Sequence, residues 1–293
     1  MELCRSCGEK DTSEELVNEW GDGTRQRHGD PCRVPVPHHL LVNLKSFTYN
    51  SIGEDTDIFF CLFDLREGKT ISEKFMVRLN RNGGPKNPEK VDRLCALFTD
   101  LSNKDMKRDL YIVSQVIRTG RMLLNDSKKG PPHVQYRRPY GCAVLAMSDV
   151  LQTISELKEE KDFVLKVYTI RADTDTLEPG EDILDCVIYH NDGQVCDVRN
   201  DLYLTLERGD FERGGKSVQK NIEVTVYVLY ADGEILQDCI SLGSGEPSIP
   251  EHRSFVLYHN NSPRWSEVIK LPIPIDRFRG SHLRFEFRHC SSE

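Results

Sequence analysis

The sequence predicts a mainly β protein: two antiparallel sandwich-type modules with a few short helices. Period-two alternation is the first reason. Leu202, Leu204 and Leu206 alternate with Tyr203, Thr205 and Glu207, and Ile222, Val224, Val226 and Val228 alternate with Glu223, Thr225 and Tyr227, as half-buried strands require. Punctuation is the second: Asn82-Gly83-Gly84-Pro85, Ala231-Asp232-Gly233 and clusters of Pro, Ser and Asn bound the runs at short, regular spacing. The third is the scarcity of helical period, which is confined to two short stretches.

Taken in order, residues 1–33 are polar, with eight acids against five bases, and read as a disordered N-terminal segment. Cys4-x-x-Cys7 with His28 and Cys32 has the composition of a tetrahedral zinc set. No hairpin or helix pattern is there to fix the ligands, so no metal is assigned. Arg33-Val34-Pro35-Val36-Pro37 reads as a stiff linker.

A first β module with helices spans residues 34–169. Strands are predicted over Leu40–Tyr49, Asp57–Phe63, Ile71–Leu79, Leu110–Arg118, Gly141–Met147 and Asp162–Tyr168. One helix is predicted to open at Asn87-Pro88, with Val91, Leu94, Cys95, Phe98 and Leu101 at three-and-four spacing; a second opens at Ser148 or Asp149. Residues 170–197 carry eight acids against Arg171 alone and read as an acidic linker, within which Ile183–Tyr189 has strand character. The second module spans 198–293, adding strand runs at Ile235–Ile240, Ser254–His259, Val268–Ile273 and His282–His289.

Composition narrows the function. No apolar run approaches the ~18 residues needed to span a bilayer, and Met1–Gly8 lacks the apolar core of a secretory signal, so a cytoplasmic chain is expected. The ten cysteines lie mostly in apolar runs and are expected to be reduced. A net charge of −8 argues against a nucleic-acid partner. No P-loop, Gly-x-Ser-x-Gly elbow, His-Glu-x-x-His pair or kinase-like set is present, so neither catalytic residues nor a cofactor are assigned.

Asn261-Ser262-Pro263-Arg264-Trp265-Ser266-Glu267 resembles the Asn-Pro-x-Trp-x-Glu corner of C2 domains. It stands with Arg199–Leu206, Gly209-Asp210-Phe211, Lys220–Thr225 and Ser281–His289, which together resemble the lipid-binding C2-type domain of DOCK (dedicator of cytokinesis) guanine nucleotide exchange factors. Tyr227–Gly233 and Ile273–Gly280 are similar to the branch of members three and four. Leu44–Asn50, Ile52–Asp57, Leu97–Ser102 and Arg137–Gly141 are similar to the first β module of the same branch, so both modules are expected to be C2-like. Residues 170–197 do not resemble the longer insert of that family. The resemblance implies a non-catalytic membrane-recruitment and scaffold part of an exchange factor for Rac or Rap GTPases, with ELMO adaptors as partners of the intact family. The SH3 and exchange domains that those pairings need are expected to be absent, and the same resemblance implies that the second module is incomplete, stopping before its last strands. Peripheral recruitment to the plasma membrane follows from the same resemblance.

The candidate site is the loop Arg208–Lys220, basic and rich in glycine. Clustered phosphates call for several cations on a backbone that can bend inward and expose amides. The resemblance assigns contact with phosphatidylinositol trisphosphate, or another anionic lipid, to Arg213, Lys216 and Lys220; read from composition alone, the same loop is a solvated hairpin. The Asp cage of a calcium-dependent C2 site is not legible. Arg121, Lys128, Lys129, Arg137 and Arg138 form a second basic run, suited to anionic lipid, to a partner or to a soluble loop. The alternative function is a protein-interaction fragment that competes with the full-length exchange factor without touching lipid.

Overall fold

The computed structural model describes residues 37–48, 53–90, 94–123, 135–157, 161–170, 177–192, 201–211 and 220–290. The candidate zinc set and the Pro-rich linker up to Val36 lie outside them.

Among the described residues, the first module is one antiparallel sheet of nine strands: β1 (His38–Thr48), β2 (Asp55–Asp64), β3 (Lys69–Thr70), β4 (Phe75–Leu79), β5 (Cys95–Leu101), β6 (Leu110–Gly120), β7 (Tyr136–Ala146), β8 (Lys161–Ile170) and β9 (Leu177–Asp192). Its order is β3-β2-β6-β7-β8-β9-β1-β5, with β4 also on β2. Strands from both ends of this order share one core: Leu40, Val42 and Leu44 of β1 and Phe98 of β5 meet Ile58, Phe60 and Leu62 of β2 and Val77 and Leu79 of β4. The sheet therefore curls round on itself instead of forming two separate leaves. Its corner falls at β7 and β8, where only Gly141↔Thr169 and Cys142↔Tyr168 pair. Gly141 is required there, because a Cβ would collide with the Tyr168 carbonyl. Helix α1 (Met147–Leu157) contributes Met147 and Val150 to the same core.

Two expectations about the first module and the segment after it are corrected. The segment read as an acidic linker, 170–197, contains β9, a sixteen-residue strand that pairs with β1 on one side and β8 on the other. Its acids obscured the strand pattern, which extends well beyond Ile183–Tyr189. The first module accordingly runs on past residue 169, to Asp192. The helix expected from Asn87 is a single 3-10 turn, Pro88–Lys90; of the residues that carried its period, Cys95, Phe98 and Leu101 lie in strand β5, Leu94 precedes it and Val91 lies outside the described residues. Ala96 and Phe98 are buried while Cys95 and Leu97 are exposed, which is period two. Asp100, at a φ of 60°, breaks that alternation and returns Leu101 to the core, and this break mimics helical spacing.

The second module packs a two-stranded sheet, β10 (Leu202–Arg208) with β13 (Arg264–Leu271), on a three-stranded one ordered β12 (Glu251–Arg253), β11 (Ile222–Leu229), β14 (His282–His289). Val224, Val226 and Val228 from one sheet and Leu206, Trp265, Ile269 and Leu271 from the other form its core. A four-residue turn of helix, α2 (Ile275–Phe278), precedes β14. Ile235–Ile240 and Ser254–His259 are not strands: the first makes only single bridges, Leu229↔Ile235 and Ile240↔Ile249, and the second is irregular.

A packed seam joins the modules. The Ser244 carbonyl accepts from the Met76 amide at 2.8 Å and the Ser244 amide donates to the Lys74 carbonyl at 2.9 Å, so the chain beside Ser244 runs parallel to β4. Apolar contacts continue on both sides, with Phe59, Met76 and Ile117 against Leu242 and Phe255, and Met122 and Tyr136 against Val256 and Cys290.

Candidate functional site

The basic loop joins β10 to β11, and the structure fixes both of its ends at one tip of the second module. On the incoming side, the Gly209 amide donates to the Pro263 carbonyl and the Phe211 amide to the Asn261 carbonyl, each at 2.9 Å. The Phe211 ring lies edge-on to Trp265 at 6.3 Å and against Phe287 at 5.7 Å. Gly209 leaves the room this requires, since a Cβ there would come within 2.5 Å of the Phe211 ring. On the outgoing side, Asn221 sits at a φ of 54°. Its side chain accepts from the His259 amide at 2.6 Å and donates to the Cys290 carbonyl at 3.1 Å, while its own carbonyl accepts from the Cys290 amide at 2.9 Å. Lys220 is exposed, and its carbonyl contacts the His289 ring.

Of the three residues assigned to lipid, Lys220 lies at this tip; Arg213 and Lys216 lie outside the described residues. The second basic run is divided. Lys128 and Lys129 lie outside the described residues, whereas Arg137 and Arg138 face inward. Arg138 is buried and donates to the Met122 carbonyl at 3.0 Å and to the Val256 carbonyl. Arg137 donates to the Glu267 carboxylate at 3.0 Å and to the Arg253 carbonyl at 2.6 Å. These two arginines therefore hold the seam and present no lipid-facing surface. Among the described residues, no group of three or more His, Cys, Asp or Glu side chains is placed to hold a metal ion.

The strongest electrostatics also belong to the seam. Glu267 is buried, which pushes its pKa up, yet Arg137, His252 and the Phe255 amide at 2.7 Å together outweigh burial and hold it at about 2. His252 is fully buried 3.5 Å from that carboxylate, and burial keeps it neutral by driving its pKa below 6.5 despite Glu267. Sequence reading missed this cluster. Its only signal was the Glu that closes the Asn261–Glu267 motif.

Antiparallel β modules, the second with a Trp-anchored corner and with the ends of a glycine-rich loop at one tip, define a mainly β protein of the sandwich type. Comparison with known proteins gives its family. Residues 24–207 match the model for the DOCK N-terminus, and residues 195–293 match that for the C2 domain in Dock180 and Zizimin proteins. The chain belongs to the DOCK family. It is 62% identical over 317 aligned positions to Dedicator of cytokinesis protein 3 of Homo sapiens, and 44% identical over 314 to Dedicator of cytokinesis protein 4 of Mus musculus. These alignments cover 93% and 92% of this chain but 16% of each relative, so the chain spans about a sixth of their length. The 317 aligned positions exceed the 293 residues here, so the first relative carries residues without a counterpart in this chain. Among solved structures, the paired C2 domains of Extended-Synaptotagmin 2 align over 92% of this chain and 80% of that one, at 10% identity and a TM-score of 0.27, too distant to add to the family match.

Proposed function

We propose that this chain is a non-catalytic recruitment and scaffold portion of a DOCK-type exchange factor, reading anionic phosphoinositide through Arg213, Lys216 and Lys220. The observation that carries the reading is the tip of the second module. Phe211 and Asn221 pin the two ends of a nine-residue glycine-rich basic stretch beside the Asn261–Pro263 turn. Anchored ends shorten the conformational search of the loop, so ordering three cations around a multiply phosphorylated headgroup costs less entropy. Each basic residue near an anionic surface contributes roughly 1 kcal/mol, so adhesion without a shaped loop is weak. Cytoplasmic residence with peripheral recruitment to the plasma membrane is part of the same reading. So are the Rac or Rap GTPases and ELMO adaptors as partners of the parent protein, and the absence of exchange activity from this chain.

The test is co-sedimentation with liposomes containing or lacking phosphatidylinositol trisphosphate at near-physiological salt. Trisphosphate-dependent pelleting is expected, falling about tenfold or more in Lys216→Ala/Lys220→Ala as two charge contacts are lost. Equal pelleting of wild type and variant sinks the assignment of these residues.

A further inference from the structure

Of the second basic run, Arg121 does not turn inward as Arg137 and Arg138 do. It follows strand β6 directly and its side chain is exposed. Its backbone is fixed from both sides: the Arg121 amide donates to the Glu54 carboxylate at 3.0 Å, and its carbonyl accepts from the Arg118 guanidinium at 2.7 Å. Gly120 makes room for that carboxylate, since a Cβ there would collide with it. Arg118 also donates to Glu54 at 2.7 Å and to the Met122 carbonyl at 3.0 Å, so the turn that presents Arg121 is held by its own ion pair.

A line of contacts leads from this turn to the candidate loop of the second module. The Met122 carbonyl also accepts from Arg138, which donates across the seam to the Val256 carbonyl and lies 5.9 Å from the Tyr258 ring. Tyr258 stacks on His259 at 4.1 Å, and the His259 amide donates to the Asn221 side chain, next to Lys220. Arg121 and Lys220, far apart in sequence, thus stand on adjoining modules at one end of the seam. Charge there suits an anionic partner. Glu54 is engaged by Arg118, and Glu223 of β11 by Arg288 at 2.6 Å, whereas Arg121 and Lys220 reach solvent. The exposed Asp210 tempers the excess, so many weak contacts over a surface fit better than one strong anion.

We infer that Arg121 contacts the same anionic bilayer as the β10–β11 loop, so that the membrane contact crosses the seam and takes in both modules. The inference rests on the lipid reading of that loop. Because Arg121 belongs to the other module, its partners are neighbouring anionic lipids such as phosphatidylserine, and not the headgroup that the loop holds. Contact of this kind is electrostatic and short-ranged at physiological salt, worth about fivefold in binding for each basic residue at the surface. Its consequence is orientation. Two attachments on two packed modules set how the chain lies on the membrane, which one loop leaves open.

The test uses the full chain and phosphatidylcholine vesicles carrying phosphatidylinositol trisphosphate, with or without phosphatidylserine. Wild type is compared with Arg121→Ala, Arg121→Glu and Arg66→Ala. Arg66 is exposed beyond the other end of β2, about 30 Å along the strand, and controls for loss of any one charge from the first module. With phosphatidylserine present, Arg121→Ala is expected to bind about fivefold more weakly than wild type and Arg121→Glu about tenfold or more, while Arg66→Ala binds as wild type does. Calorimetry with the soluble inositol tetrakisphosphate headgroup is expected to give one affinity for wild type and both Arg121 variants, because their loop is intact. Trisphosphate-dependent pelleting that is equal in wild type and Arg121→Ala overturns the inference and leaves the loop reading standing. Weakened headgroup affinity in the Arg121 variants also overturns it, by placing Arg121 at the headgroup itself. A wild type that does not respond to trisphosphate removes the loop reading and this inference together.

Discussion

Glu267 answers to three partners at once, and its chemistry sets how the molecule responds to acid. Its native pKa of about 2 lies below the ordinary value of 4.5, so its stabilisation is complete above pH 4.5 and is lost as pH falls towards 2. His252 acts in the same direction from higher pH. Buried and neutral, with a pKa driven below 6.5, it is protonated more readily in the unfolded chain, so stability begins to fall as pH drops through 6.5. Urea titrations are therefore expected to give an unfolding free energy that declines in two stages on acidification, and His252→Gln should remove the stage nearer neutrality. Glu267→Gln removes the nearer of the two carboxylates that face Arg137, leaving Asp57 at 3.9 Å, and should cost about 3 kcal/mol at neutral pH. A loss below about 1 kcal/mol, the range of an exposed pair, would show that the cluster is not structurally important.

At the scale of elements, β9 decides whether the first module closes. It stands between β8 and β1, making ten pairs with β1 from His38↔Asp192 to Thr48↔Ile183. Its amides are predicted to resist hydrogen exchange as long as those of β1, whereas linker amides would exchange within seconds; rapid exchange over Cys186–Tyr189 would contradict the pairing. The corner beside it depends on Gly141. Gly141→Ala places a methyl group against the Tyr168 carbonyl, and overpacking of this kind costs roughly 1–3 kcal/mol. Equilibrium unfolding of that variant measures it.

Across the whole molecule, the seam makes two sequence modules one packed unit. Arg137, Arg138 and Met76 from the first module bond to Glu267, Val256 and Ser244 from the second, within apolar contacts on either side. Calorimetry is predicted to show one unfolding transition. Gly245 lies against the Phe75 ring and the Met76 carbonyl at a φ of 95°. Gly245→Val, both strained and bulky, should separate the seam and split the transition in two. Two transitions in the wild type would mean that the modules unfold independently.

The sequence by itself determined the mainly β class, the antiparallel character, most strands and the family. It also located the candidate loop. Those features depend on local alternation, on turn residues and on motif order, all of which are properties of neighbours in the chain. What only the tertiary structure decided depends on residues far apart in sequence. Cys95–Leu101 is a strand because β1 lies beside it; its spacing alone fitted a helix. Residues 177–192 form a strand because two partners take up their backbone groups, although acids obscured the pattern. Arg137 and Arg138 carry the same charges as the loop cations, yet burial against carbonyls and Glu267 makes them structural. A formal charge can be counted in the sequence. Whether it meets solvent or a buried carboxylate is settled only when the chain has folded.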